Sequence, residues 1–283
     1  MPASRSRATH WRRTLQQIQE RDGALELALA PDAPTDGPRT GDLVWRAKLL
    51  AVGTQDLIVE APRTLGHEVR FPPGTELVVA AVVGQNRWMF RTTVRVERRG
   101  VGGGLPGTLI FSLPDSIERC SRRHGRYDAR GLELPEVQCW PLLDPSSVVP
   151  ATRACADLWA RFRAREPIDA STLDSLLPTV GPRFGATLMN IGGGGLGVRV
   201  APADAPVLFR HPILWLRIEL GEATPVPMLT TAKVVHTHID SEQMTYAGLA
   251  FDFSFHPRGL SVAAEQILHA IEWRQRQRPL RAA

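Results

Sequence analysis

The chain has 283 residues, 43% hydrophobic and 22% charged, which fits a folded protein with material for two ordinary cores. Its formal net charge is +5, supplied almost wholly by arginine. No apolar run reaches the roughly 18 residues of a membrane span, the basic start MPASRSRATHWRR lacks the apolar stretch of a secretory signal, and Cys120, Cys139 and Cys155 lack CxxC spacing, so reduced thiols in a cytoplasmic protein are expected.

In chain order, ATHWRRTLQQIQERDG reads as an amphipathic helix, because Trp11, Leu15 and Ile18 share one face and Gly23 is a plausible stop. APDAPTDGPRTG, residues 30–41, is a Pro/Gly/Asp linker, so residues 1–40 are read as a helix and linker. LVWRAKLLAVG, DLIVEAP, ELVVAAVV, WMFRTTVRVERR and GTLIFSL are short β-rich runs separated by turn residues. They predict one small β-barrel over residues 41–118. YDARGLELPEVQCWPLL resumes the strand pattern. ATRACADLWARFRARE then interrupts it with a helix whose apolar face carries Cys155, Leu158, Trp159 and Phe162. STLDSLL adds a short helical turn. RFGATLMNI, LGVRVA, ILWLRIEL, MLTTAKVVHTHI and YAGLAFDF return to strands. A last helix places Ala264, Ile267, Leu268 and Ile271 on one stripe and collects Arg274, Arg276 and Arg278 at its C-terminal end. The sequence shows no fixed-period repeat. The expected fold is mainly β: two β-domains in series, with a helical insertion near 150–178 and a closing helix.

Two stretches stand out chemically. CSRRHGRYDAR, residues 120–130, crowds four arginines and a histidine at the expected domain junction. Guanidinium groups bind phosphates and the O6 and N7 edge of guanine bidentately, and stack on purine faces. A solvated basic linker would look the same. The second stretch is LMNIGGGGLGVRV, residues 188–200. Its glycines formally satisfy GxGxxG, but a strand pattern follows where the dinucleotide fingerprint needs a helix. A tight turn between strands is the better reading, with Asn190 before it offering both a donor and an acceptor.

The two stretches in this order resemble the motif pair of PilZ domains, RxxxR followed by (D/N)xSxxG. Arg122 and Arg126 supply the first motif, and Asn190, Gly192 and Gly195 the second. LIFSLPDSIERCSRRHGRY is similar to the passage by which YcgR-like proteins, the flagellar brake family, enter their PilZ barrel. YAGLAFDF with a terminal helix is similar to the end of that architecture. The resemblance spans roughly residues 40–283. It implies a split-barrel N-terminal domain over 41–118 and a PilZ barrel over 119–283. It further implies that cyclic di-GMP is the ligand, with no other cofactor. Arg122 and Arg126 would take phosphates and guanine edges, and Arg123 would be a further contact. Asn190 would read a guanine edge, Gly192 would stand beside it, and Gly195 would permit the turn. The implied output is control of motility or another surface behaviour through the flagellar motor or another effector protein, at the flagellar basal body in the first case. The chain departs from the pattern at Ser121, where many members have another arginine, at Gly192, where a serine is usual, and in the helical insertion.

Other chemistries are weaker. His236, His238 and Asp240 fall on one strand face, but imidazoles spaced by two on a strand are usually surface residues rather than metal ligands. There is no GxSxG elbow and no HExxH motif, so no enzyme is expected. Interleaved surface aromatics, which single-stranded nucleic acid favours, are also missing, so no nucleic acid is expected as a partner. A PilZ scaffold that has lost its nucleotide and serves as an interaction module is the main alternative.

Overall fold

The computed structural model describes residues 11–30, 43–83, 86–100, 106–114, 117–119, 136–192, 194–221, 224–240 and 242–276. The arginine stretch with Ser121, Arg122, Arg123 and Arg126 lies outside the described residues. Helix α1 (Trp11–Glu20) buries Leu15 and Ile18, as its spacing predicts. Asp22 takes the left-handed conformation after it, with φ 53. Gly23 N–H then donates to the Ile18 carbonyl at 2.7 Å, an approach that a Cβ would block.

Six strands of five residues or more follow among the described residues: β1 (Ala24–Leu29), β2 (Val44–Val52), β3 (Asp56–Glu60), β4 (Glu76–Val83), β5 (Asn86–Arg98) and β6 (Thr108–Ser112). They pair antiparallel in the ring β1–β4–β5–β6–β3–β2 and back to β1. Closure leaves no unpaired edge. In β2, Trp45, Ala47 and Leu49 point inward while Arg46, Lys48 and Leu50 face solvent. The barrel therefore starts upstream of the expected boundary at residue 41. Strand β1 pairs on both sides, and the linker interrupts the barrel rather than preceding it.

The second barrel is built from β7 (Glu136–Pro141), β8 (Phe184–Ile191), β9 (Gly195–Val200), β10 (Ile213–Ile218), β11 (Met228–Ile239) and β12 (Thr245–Phe251). Its ring runs β7–β10–β11–β12–β9–β8 and back to β7, again antiparallel throughout. Numbered from each barrel's own first strand, both rings read 1-4-5-6-3-2. The two halves thus share one topology although no period is visible in the sequence. The unequal connections hide it. Residues 30–43 join the first two strands of one barrel, and residues 142–183 join the corresponding pair of the other.

Those residues 142–183 form the expected insertion. A 3₁₀ turn (Pro145–Val148) leads into α2 (Val149–Arg163), and a second 3₁₀ turn (Ala170–Ser175) precedes β8. Asp144 and Asp169 open the two turns by accepting the backbone N–H of Ser146 at 2.9 Å and of Ser171 at 3.0 Å. In β7 and β10 the residues alternate between two cores. Val137, Cys139, Leu214 and Leu216 join the barrel interior, while Trp140 and Trp215 join Cys155, Leu158 and Trp159 of α2 in a separate outer cluster. A short helix that the sequence pattern did not reveal, α3 (Ala205–Arg210), bridges β9 and β10. The closing helix α4 (Gly259–Arg276) buries Ala264, Ile267 and Ile271, with Leu268 packed at the margin. Trp159 of α2 donates its indole N–H to Glu265 of α4 at 3.0 Å. No helix among the described residues is long and apolar enough to cross a membrane.

One carboxylate of the second barrel is held by an ion pair and by hydrogen bonds. Asp252, just after β12, pairs with Lys233 at 2.8 Å and accepts the Ser254 backbone N–H at 3.0 Å and its hydroxyl at 2.6 Å. These partners, Lys233 foremost, hold its carboxyl down at about 2. A depressed folded value stabilises above the unfolded pKa of about 3.9 and is lost as pH falls towards about 2. Lys233 is half-exposed, which reduces the contribution to roughly 1–2 kcal/mol. Asp252→Asn should therefore lower the melting temperature at pH 7, with the difference from the parent closing between pH 4 and 2. A gap that stays constant with pH would reject this assignment.

Candidate functional site

The glycine-rich turn leaves β8 and enters β9, and it can be built residue by residue. Asn190 stands where the β8–β9 register slips between Leu188 and Asn190. Such an irregularity re-aims a side chain. Gly192 N–H donates to the Gly195 carbonyl at 2.8 Å, and Gly194 accepts the Phe251 N–H at 2.9 Å. Neither Gly192 nor Gly195 has a left-handed φ. What separates them is space. A Cβ on Gly195 would overlap the Leu249 carbonyl of β12, whereas the nearest atom to a Cβ on Gly192 is 3.9 Å away. Close backbone approach therefore requires glycine at 195, and the structure leaves room for a serine at 192.

Asn190 heads a row across four strands. It pairs with Gly197, Gly197 with Gly248, and Gly248 with His236. The two glycines leave a hollow that aromatic rings fill. Tyr246 leans over Gly197, where a Cβ would meet its hydroxyl and would lie 2.9 Å from Asn190 Oδ1, and His236 leans over Gly248. His238 packs on Tyr246 with centroids 4.8 Å apart. The Asn190 amide donates to the Tyr246 hydroxyl at 3.3 Å, which leaves its carbonyl oxygen as an acceptor. Beside the row, Arg199 is held by Asp240 at 2.7 Å and by Glu242. Asp240 also accepts the backbone N–H groups of Glu242 and Met244. That carboxylate is thus occupied, and His236 and His238 serve as ring surface beside Tyr246. Among the described residues no group of three or more His, Cys, Asp or Glu could hold a metal.

The turn also touches the other barrel. The junction between the two rings is a parallel bridge from Ile191 to Trp45 of β2, and Ile191 lies between Asn190 and Gly192. Trp45 is fully buried. Its indole N–H donates to Thr64 at 3.2 Å, and its ring meets Phe71 edge-on at 5.5 Å. The buried interiors of both barrels form one continuous cluster.

The structure thus brings Asn190, Gly192 and Gly195 of the sequence-predicted set into one turn. Arg122, Arg123 and Arg126 fall outside the described residues. Sequence reasoning missed Tyr246, Gly197 and Gly248. Their signal was faint: alternate positions of YAG and GLG in strands that register places side by side. Chemically, a bare backbone turn, one amide and a shelf of rings suit a planar heteroaromatic group with a polar edge.

No family model and no curated protein matches the chain. Solved structures do. The Bacillus subtilis inhibitor of motility MotI/DgrA is similar at 14% identity over 90% of this chain and 98% of its own, with a TM-score of 0.30. MrkH of K. pneumonia, solved in complex with c-di-GMP, is similar at 12% identity over 94% and 95%, with a TM-score of 0.33. The third is Escherichia coli YcgR in complex with c-di-GMP, at 13% identity over 93% and 90%, with a TM-score of 0.26. Over nine-tenths of its length the chain is similar to MotI/DgrA, MrkH and YcgR, the last being the protein whose family the motif pair resembles.

Proposed function

We propose that this protein is a non-enzymatic effector that binds cyclic di-GMP and converts binding into a change in how its two barrels engage. The observation that carries the reading is the position of the second motif. The turn expected to read a guanine is also the segment that bridges the barrels, through Ile191 and Trp45. A ligand gripping both this turn and the arginine stretch would bias that junction, provided it binds the two arrangements unequally. Arg122 and Arg126 take phosphates and guanine edges in this reading, Arg123 adds a contact, and Asn190 offers its acceptor to a guanine. The output is control of motility or another surface behaviour, exerted on the flagellar motor or another protein from the cytoplasm.

Two sets of variants test the site by calorimetric titration with cyclic di-GMP. Arg122→Ala and Arg126→Ala should each weaken binding by about 1–3 kcal/mol, the scale of a charge-assisted or bidentate contact, without changing the melt. Unaltered affinity in both would remove the arginines from the site. Gly192→Ser should keep the parent melting temperature, because its Cβ has space and its φ is unstrained. The new hydroxyl should tighten binding by about 0.5–1.5 kcal/mol. A lowered melt would contradict the open geometry at this position.

One observation favours the second reading, a scaffold without nucleotide. One N–H of the Asn190 amide is already engaged by the Tyr246 hydroxyl, and position 192 carries no hydroxyl. In that case neither the parent nor Gly192→Ser would bind.

A further inference from the structure

Beneath the helical insertion lies a cavity of about 390 Å³, at the small end of the range for ligand pockets. Its floor is the outer face of β7 and β10. Trp140 pairs directly with Trp215, and Gln138 with Arg217. Its roof is the second 3₁₀ turn with the two leucines that follow, and Arg183 lines it from just before β8.

The polar groups around it are unevenly satisfied. Trp140 and Trp215 are 8% and 2% exposed. Neither indole N–H has a hydrogen-bond acceptor among the described residues, whereas Trp45 and Trp159 both have one. Neither nitrogen is among the sealed polar atoms without a partner, so both N–H groups retain access to solvent. The Gln138 amide likewise has no partner among the described residues. Arg217 is balanced by Glu219 at 2.9 Å and by Asp174. Arg183 is exposed and has no acidic partner among the described residues. The cavity is thus lined by two tryptophan rings whose N–H groups have no acceptor among the described residues, and by one guanidinium with no acidic partner among them.

We infer that this cavity binds a small organic carboxylate with a compact planar or apolar body. The body would lie against Trp140 and Trp215, and the carboxylate would accept from an indole N–H and from Arg183, whose fork matches its two oxygens. This site lies on the outer face of the second barrel and is separate from the turn at Asn190–Gly195.

The probe is phenylacetate, with 2-phenylethanol as its uncharged counterpart, titrated into the isotope-labelled full-length chain. The indole N–H signals of Trp140 and Trp215 are assigned by through-bond spectra. Both signals should shift saturably, with roughly millimolar or tighter affinity, and the alcohol should bind at least about tenfold more weakly. Arg183→Gln, an exposed substitution, should weaken phenylacetate about tenfold and leave the melting temperature unchanged. Indole signals that do not move would overturn the proposal. So would equal binding of acid and alcohol, or parent affinity in Arg183→Gln.

Discussion

Alanine at Gly195 is expected to damage the second barrel as much as any single methyl group can. The added Cβ would overlap the Leu249 carbonyl and stand 3.1 Å from the Ala250 Cα. Both obstacles are backbone, so no rotamer change relieves them. The strands must part where Gly195 pairs with Ala250, one residue from the register that seats Leu196 and Leu249 in the core. Overpacking of this kind costs about 1–3 kcal/mol, which in a chain of this size lowers the melting temperature by roughly 2–12 °C. The same shift would displace the turn, so cyclic di-GMP affinity should fall with it. Gly192→Ala is the control, since its Cβ meets only open space. A thermal melt of the two variants checks the argument. Equal melts for both would show that the close approach at Gly195 is not tight.

The largest loss is expected from Trp159→Ala. Trp159 is 2% exposed in the outer cluster. Its ring lies 5.2 Å from Phe162 and 5.6 Å from His269, and its N–H reaches Glu265. Truncating a buried aromatic costs about 3–5 kcal/mol through lost burial and the cavity left behind. Trp159→Phe keeps most of the packing and gives up the bond to Glu265, so about 1 kcal/mol should be lost. Urea unfolding of both variants measures this. Because the barrel interiors form a different cluster, hydrogen exchange in Trp159→Ala should rise first in α2 and its 3₁₀ turns. Exchange rising equally in β2 and β3 would mean that the insertion is not a separable layer.

Much of this architecture can be read from residue patterns. VWRAKLL reads as a strand, and its residues alternate between core and solvent because one face of that strand meets solvent. ILWLRIEL is nearly continuous in apolar residues, and the reason is physical. Both faces of β10 are covered, one by the barrel core and the other by the insertion. Strand β1 escaped notice because a Pro/Gly/Asp segment separates it from the strands it pairs with, and punctuation of that kind reads as a boundary. The repeated barrel topology was invisible for a similar reason, since connection lengths differ while pairing order is kept. At the site, the motif pair pointed to Asn190, Gly192 and Gly195. The shelf of Tyr246, His236 and His238 depends on cross-strand register across β8, β9, β12 and β11, which local sequence does not encode. The two roles of glycine, required at 195 and dispensable at 192, also emerge only from what stands opposite each one.

The most direct measurement is a calorimetric titration of the unaltered full-length chain with cyclic di-GMP, run beside cyclic di-AMP at the same ionic strength. The donors assigned to Arg122 and Arg126 match guanine, whose O6 and N7 both accept, and the Asn190 acceptor matches its ring N–H and amino donors; adenine instead presents an amino donor beside N7. The account predicts saturable binding of cyclic di-GMP and, for cyclic di-AMP, binding at least about a hundredfold weaker, the scale of two lost base-edge contacts. No heat with cyclic di-GMP, or equal affinity for the two dinucleotides, would contradict it.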